Sequence, residues 1–149
     1  EDYCLVTWNG LLFDLPVLNY RALFNQVDAA SYWQKKSWHI DIKDSLSGHH
    51  PKEQGSLDQV SRGLGFPGNI NLRGGQVWNS YLEGNEEGIS NDCDFDVFNT
   101  YLVFLKYQTM IGKLSEDQLS IKLKQFRIML KDTNKKHFEV FLKRWEKQS

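Results

Sequence analysis

Two short acidic stretches hold the residues of this chain that could do chemistry. The first is Asn9-Gly10-Leu11-Leu12-Phe13-Asp14-Leu15-Pro16, and the second is Asn91-Asp92-Cys93-Asp94-Phe95-Asp96-Val97. Asp14 is an acid set among apolar residues, where a turn gives way to a helix. A carboxylate there can hold a divalent cation, a hard ion that takes oxygen ligands. An Asp at a helix start also answers the unpaired N–H groups and the dipole, so capping is the alternative for Asp14. The alternating acids of the second stretch invite an EF-hand reading, which fails. With Asp92 at position 1, position 6 is Val97 rather than Gly, and position 12 is Val103 rather than Glu. Asp92 and Asp94 are expected in the first turn of a helix, where acids serve the dipole. Asp96 lies deeper, beside an apolar face that opens at Val97, and is the better ligand candidate. His39 could ligate a metal, but it has no clustered partners and is expected to bond locally on its strand. His49-His50 reads as solvated loop.

Strands and helices must position these groups. Cys4-Leu5-Val6-Thr7-Trp8 is a short apolar run and predicts a buried strand over residues 3–8. Asn9-Gly10 marks a tight turn, and residues 14–25 read as a helix with Leu15, Val17, Leu18, Ala22 and Leu23 as apolar positions. Trp38-His39-Ile40-Asp41-Ile42 alternates and predicts a second strand. Gly48, Pro51 and Gly55 make residues 47–55 a loop. Ser56 caps a short helix that stops at Gly63 or Gly65. Gly68 to Gly75 reads as loop and Val77 to Glu83 as helix. A long helix is expected from Cys93 to Ile111, with Val97, Phe98, Tyr101, Leu102 and Leu105 on one face. Ser115-Glu116-Asp117-Gln118 is a capping box for a helix ending near Lys131. A last helix is expected from Thr133, with Phe138, Phe141, Leu142 and Trp145 as one stripe packing on the body of the domain. Strands separated by helices indicate an α/β domain. Two parallel strands make a poor core on their own, so further strands or a partner are expected to complete the sheet.

At 149 residues a single domain with a real core is the default. No apolar run approaches the roughly 18 residues of a membrane span, and the opening Glu1-Asp2-Tyr3 lacks the basic start of a signal peptide. Cys4 and Cys93 are far apart and form no CxxC, which suits a reduced, cytoplasmic protein. The net charge of -1 conceals an asymmetry: residues 1–105 carry 7 Lys and Arg against 14 Asp and Glu, whereas residues 106–149 carry 11 against 5. An acidic front and a basic back suit a metal site beside a phosphate-binding surface. The alternative is a basic helical face that is merely solvated.

Taken in order, four segments resemble a known family. They are Asn9-Gly10-x-x-Phe13-Asp14-x-Pro16-Val17-Leu18, then His39-Ile40-Asp41, then Ser56-Leu57-Asp58 with Leu64-Gly65-Phe66-Pro67-Gly68, and finally Cys93-x-x-Asp96-Val97-x-Asn99-Thr100-Tyr101. They are similar to the bacterial predicted 3′–5′ exonucleases related to the proofreading domain of family B DNA polymerases, within the DEDD exonucleases. The resemblance implies an α/β ribonuclease H-like exonuclease fold over residues 1–112, lacking its N-terminal strands in this chain. Residues 113–149 would be a basic helical extension packed on the same domain. It also implies four carboxylates holding two Mg²⁺ or Mn²⁺ ions, one activating a water and one stabilising the leaving oxygen.

By position, Asp14 matches the acid of the second motif and Asp96 the metal acid of the third. Asn9 and Phe13 match residues that line the substrate strand. Phe13 could stack on a base or sugar, worth roughly 1–3 kcal/mol, or pack in the core. Lys135 and Lys136, with their basic neighbours, would guide a nucleic-acid backbone. Two departures stand out. No Asp-x-Glu of the first motif occurs anywhere in the chain, and Asp92 occupies the place of a Tyr that orients the attacking water. An Asp there could act as a base or an extra ligand, which keeps Asp92 among the catalytic candidates. The expected partner is single-stranded DNA, with RNA as the alternative and no membrane. Self-association or another chain is expected to complete the sheet. The competing function is a catalytically inactive domain that binds nucleic acid or protein.

Overall fold

The computed structural model describes residues 4–30, 39–48, 50, 55–70 and 76–148. Trp38 of the expected second strand, His49 and Pro51 of the loop, and residues 71–75 ending the Gly68–Gly75 loop lie outside the described residues. The chain is α/β, mostly helical with a small parallel sheet. It divides into two compact units, Glu1–Gly55 and Ser56–Ser149.

In the first unit, β1 (Leu5–Thr7) and β2 (His39–Asp41) pair in parallel, with Leu5 opposite His39, Val6 opposite Ile40 and Thr7 opposite Asp41. Helix α1 (Asp14–Phe24) lies between them in sequence, and α2 (Ile42–Leu46) follows β2 directly. Pro16 suits the first turn of α1, where its missing N–H is no loss. The expected apolar face of α1 is corrected: Leu15 is 5% exposed, but Val17, Leu18 and Leu23 are 50%, 58% and 70% exposed. Among the described residues the sheet has two three-residue strands, which offer too little surface to bury the face of an 11-residue helix.

The second unit is helical: α3 (Leu57–Gly63), α4 (Val77–Leu82), α5 (Glu86–Met110), α6 (Glu116–Asp132) and α7 (Lys136–Glu146). Capping boxes start α3 at Ser56 with Gln59 and α6 at Ser115 with Gln118. Gly65 and Gly68, both at positive φ, follow α3 and turn the chain through Phe66 and Pro67. The core is aromatic. The Phe98 ring meets Phe126, Phe138 and Phe141 edge-on, with centroids 5.7, 4.8 and 5.2 Å away. Leu102, Val103 and Leu105 of α5, Leu119 and Leu130 of α6, and Trp145 of α7 close around it. Each such side chain contributes about 1.5–3 kcal/mol on burial.

Three expectations change here. The long helix starts at Glu86 rather than Cys93, because Asn85 caps it by accepting from the Gly88 N–H. Glu86 and Glu87 occupy the first turn, so Asp92 and Asp94 sit inside the helix and not at its dipole end. The buried face runs through Phe95, Phe98, Asn99, Leu102, Val103 and Leu105, whereas Val97 is 64% exposed. The last helix starts at Lys136, because Thr133 is still the C-cap of α6 and Asn134, at φ 53°, breaks the chain direction. The stripe of that helix is buried at Phe138, Phe141 and Trp145.

Candidate functional site

The turn between β1 and α1 is held by one carboxylate. Asn9 adopts φ 69°, a conformation Asn tolerates better than most residues. Gly10 follows, where a Cβ would collide with the Thr7 side chain. The turn closes through Leu12 N–H donating to Asn9 C=O at 3.3 Å and Leu15 N–H to Gly10 C=O at 2.9 Å. Asp41, 5% exposed at the end of β2, then binds it from the side. Its Oδ1 accepts from the Asn9 N–H at 3.0 Å, and its Oδ2 from the Leu11 N–H at 3.0 Å. The same Oδ1 caps α2, accepting from the N–H groups of Lys43 and Asp44 at 3.1 and 3.3 Å. Lys43 Nζ donates to the Asn9 side-chain oxygen at 3.1 Å.

This clamp presents Asp14, exposed in the first turn of α1, and Phe13, the residue preceding that helix, 65% exposed. The Phe13 ring is open to solvent rather than packed in the core. His39 bonds across the sheet to β1, its Nε2 lying 2.8 Å from Thr7 Oγ1. Burial lowers its pKa, and the nearby Asp41 charge partly opposes that shift.

In the second unit, α5 carries the acids of the third motif. Asp92 and Asp96 stand four residues apart, one helical turn, so their side chains share a face. Desolvation by the surrounding protein raises the Asp96 pKa, and the Asp92 charge raises it further. The residue as a whole stays exposed, so a cation can still reach it. The same acids and desolvation push up the Cys93 thiol, with desolvation the larger cause. Asp94 turns to α7, where its Oδ2 is 2.8 Å from His137 Nε2. One turn beyond Asp96, Asn99 is fully buried. Its side-chain oxygen accepts from the Gly68 N–H at 3.1 Å. Its amide donates to the carbonyls of Gly68 and Phe95 at 3.0 and 2.9 Å. The third motif is thereby tied to the Gly65–Gly68 turn.

Asp14 belongs to the first unit and Asp92 and Asp96 to the second. Among the described residues no group of three or more His, Cys, Asp or Glu is placed to hold a metal. The donors fit Mg²⁺ or Mn²⁺ in kind, as hard carboxylate oxygens, and fall short in number. Asp41, expected as a family position of unassigned role, is occupied by four backbone N–H groups and is a clamp.

Lys135 precedes α7 with its Nζ 5.1 Å from the Phe138 ring centroid, and Lys136 is exposed at the first position of that helix. Two other cations of the basic segment serve packing within the second unit. Arg127 lies over the Trp145 ring at 4.2 Å, and Arg144 reaches the Asn69 carbonyl at 3.5 Å.

Sequence reasoning passed over the two clamps, Asp41 and Asn99. A signal existed for both: an Asp just before a helix is an N-cap pattern, and an Asn on an otherwise apolar helix face needs partners for its amide. No helix among the described residues is long and apolar enough to cross a membrane.

No curated protein and no solved structure matched the chain. A family-level comparison matched residues 2–145 to the predicted 3′–5′ exonucleases related to the exonuclease domain of PolB. That span takes in both acidic stretches and the two turns their clamps hold, and the chain belongs to this exonuclease-related family.

Proposed function

We propose that this domain is part of a metal-dependent 3′–5′ exonuclease acting on single-stranded DNA ends, built on a ribonuclease H-like fold with residues 113–149 as its basic helical extension. The observation that carries the reading is the family match across residues 2–145, which includes both acidic stretches in order. Asp14 and Asp96 contribute carboxylates for Mg²⁺ or Mn²⁺, and Asp92 stands as an additional base or ligand. When bound, such ions supply an activated water and neutralise the leaving oxygen. This chain's own residues do the remaining work. Asn9 and the open Phe13 ring contact the substrate strand, the Asp41 clamp fixes the turn that bears them, and Asn99 fixes the helix that bears Asp96. Lys135 and Lys136 draw in the nucleic-acid backbone. No Asp-x-Glu occurs in these 149 residues, so full activity needs first-motif carboxylates supplied from outside them.

A second reading has its own observation. The absence of Asp-x-Glu, together with Asp92 in the place of Tyr, favours a catalytically inactive domain that binds nucleic acid or protein. Digestion of a 5′-labelled single-stranded oligonucleotide in Mn²⁺ separates the two. The exonuclease reading expects little shortening by residues 1–149 alone. With a first-motif segment supplied, it expects a ladder of one-nucleotide steps from the 3′ end, lost in Asp96→Asn. Binding of the oligonucleotide with no ladder under any supply of that segment supports the inactive domain.

A further inference from the structure

We infer that Asp41 is a positioning residue for the turn Asn9–Asp14, acting through its second carboxylate oxygen, and that this turn takes up its strand-binding shape only while that oxygen is in place. An N-cap needs one acceptor oxygen, and Ser, Thr or Asn supplies it as well as Asp. Asp41 uses Oδ1 for the α2 cap on Lys43 and Asp44 and for the Asn9 N–H. Its Oδ2 bonds to the Leu11 N–H, 30 residues away in the chain. Capping therefore does not account for the carboxylate; the turn does. The side chain is buried at 5% exposure, so water does not readily replace either oxygen. Lys43, held at its backbone by Oδ1, returns its Nζ to the Asn9 side chain at 3.1 Å. One carboxylate thus orders both the backbone and the side chain of Asn9, along with the amide two residues before Phe13. The contribution to strand binding rests on the proposed function; the hold on the turn does not.

Two substitutions separate the turn from the cap. In Asp41→Asn the amide oxygen can stay at the Oδ1 position and keep Asn9, Lys43 and Asp44, while the NH₂ faces the Leu11 N–H, donor against donor. In Asp41→Ser the hydroxyl still caps α2 through Asp44, and both Asn9 and Leu11 are released. Amide hydrogen exchange on the intact chain reads the difference directly. Expected are exchange at Leu11 faster by about tenfold or more in Asp41→Asn, at Asn9 and Leu11 in Asp41→Ser, and at Asp44 nearly unchanged in both. Equal acceleration of Leu11 and Asp44 would make Asp41 a general stabiliser and overturn the inference, as would an unchanged Leu11. The second arm is fluorescence anisotropy of a labelled oligo(dT) in Ca²⁺, with about tenfold weaker binding expected for Asp41→Asn. A loosened turn with undiminished affinity overturns the inference. If the parent chain binds no oligo(dT), the nucleic-acid reading fails, and the hold on the turn is decided by the exchange pattern alone.

Discussion

Replacing Asn99 by Ala should cost this protein about 2–6 kcal/mol. Asn99 is fully buried and makes three hydrogen bonds, two of them to the backbone of Gly68. Ala deletes all three. The Phe95 carbonyl keeps its helical partner within α5, so it is not orphaned. The Gly68 N–H and C=O are buried and lose this partner, at about 1–3 kcal/mol for each group left unsatisfied. Against a domain stability of about 5–15 kcal/mol, that is a large fraction. With a urea m value of about 1.5 kcal/mol/M, the unfolding midpoint should fall by roughly 1.3–4 M. Asn99→Asp keeps the acceptor for the Gly68 N–H but points a second oxygen at two carbonyls, and should cost at least as much. Urea unfolding followed by far-UV circular dichroism measures both variants. A loss below about 0.5 kcal/mol for Asn99→Ala, the range of an ordinary surface change, would refute the clamp.

Other outcomes follow from the same geometry. Phe141→Ala empties the centre of the aromatic core, where Phe141 is fully buried between Phe95 and Phe98, and should cost about 3–5 kcal/mol in the same assay. Asp96 has a raised folded-state pKa, so the native state holds its proton longer than the unfolded chain does. Its contribution to stability should therefore fall as pH rises from the ordinary carboxylate range to the raised value, and Asp96→Asn should remove that slope in pH-dependent unfolding. Asp92→Asn should lower the Asp96 pKa only partway, since desolvation is the larger cause; side-chain carboxyl NMR titration reads this, and a full return to the ordinary range would contradict it. The double variant Lys135→Glu, Lys136→Glu should weaken oligonucleotide binding and flatten its salt dependence, by about 0.7 in log–log slope for each phosphate of a single strand that the lysines no longer neutralise. An unchanged slope would make these lysines solvated surface.

Much of the fold was legible because local chemistry specified it. The capping boxes at Ser56 and Ser115 place their helices, and Phe138, Phe141 and Trp145 read as a buried stripe from spacing alone. The boundaries that slipped depended on competing caps. Asn85 starts α5 two turns before Cys93, and Thr133 prolongs α6; neither residue is distinguishable by type from a loop Asn or Thr. The face of α1 was misjudged because Val17, Leu18 and Leu23 are apolar at helical spacing, yet burial depends on how much sheet there is to cover them. The acids of the candidate site were visible as types and positions. Their division of labour was not, because it rests on long-range bonds. Asp41 reaches back 30 and 32 residues to Leu11 and Asn9, and Asn99 reaches 31 residues to Gly68. No local pattern encodes such pairings.

The proposed exonuclease chemistry depends on Asp14 and Asp96 binding a catalytic cation. Mn²⁺ binding followed by electron paramagnetic resonance, on the parent chain and on Asp14→Asn, Asp96→Asn and the double variant, measures that without requiring turnover. Weak binding by the parent is expected, because the first-motif carboxylates are not among these residues. Each single variant should lose at least about tenfold, no smaller than the usual loss on removing an outer partner of a metal ligand, and the double variant should show no specific binding. Mn²⁺ affinity that is the same in all four proteins would contradict a cation site at Asp14 and Asp96.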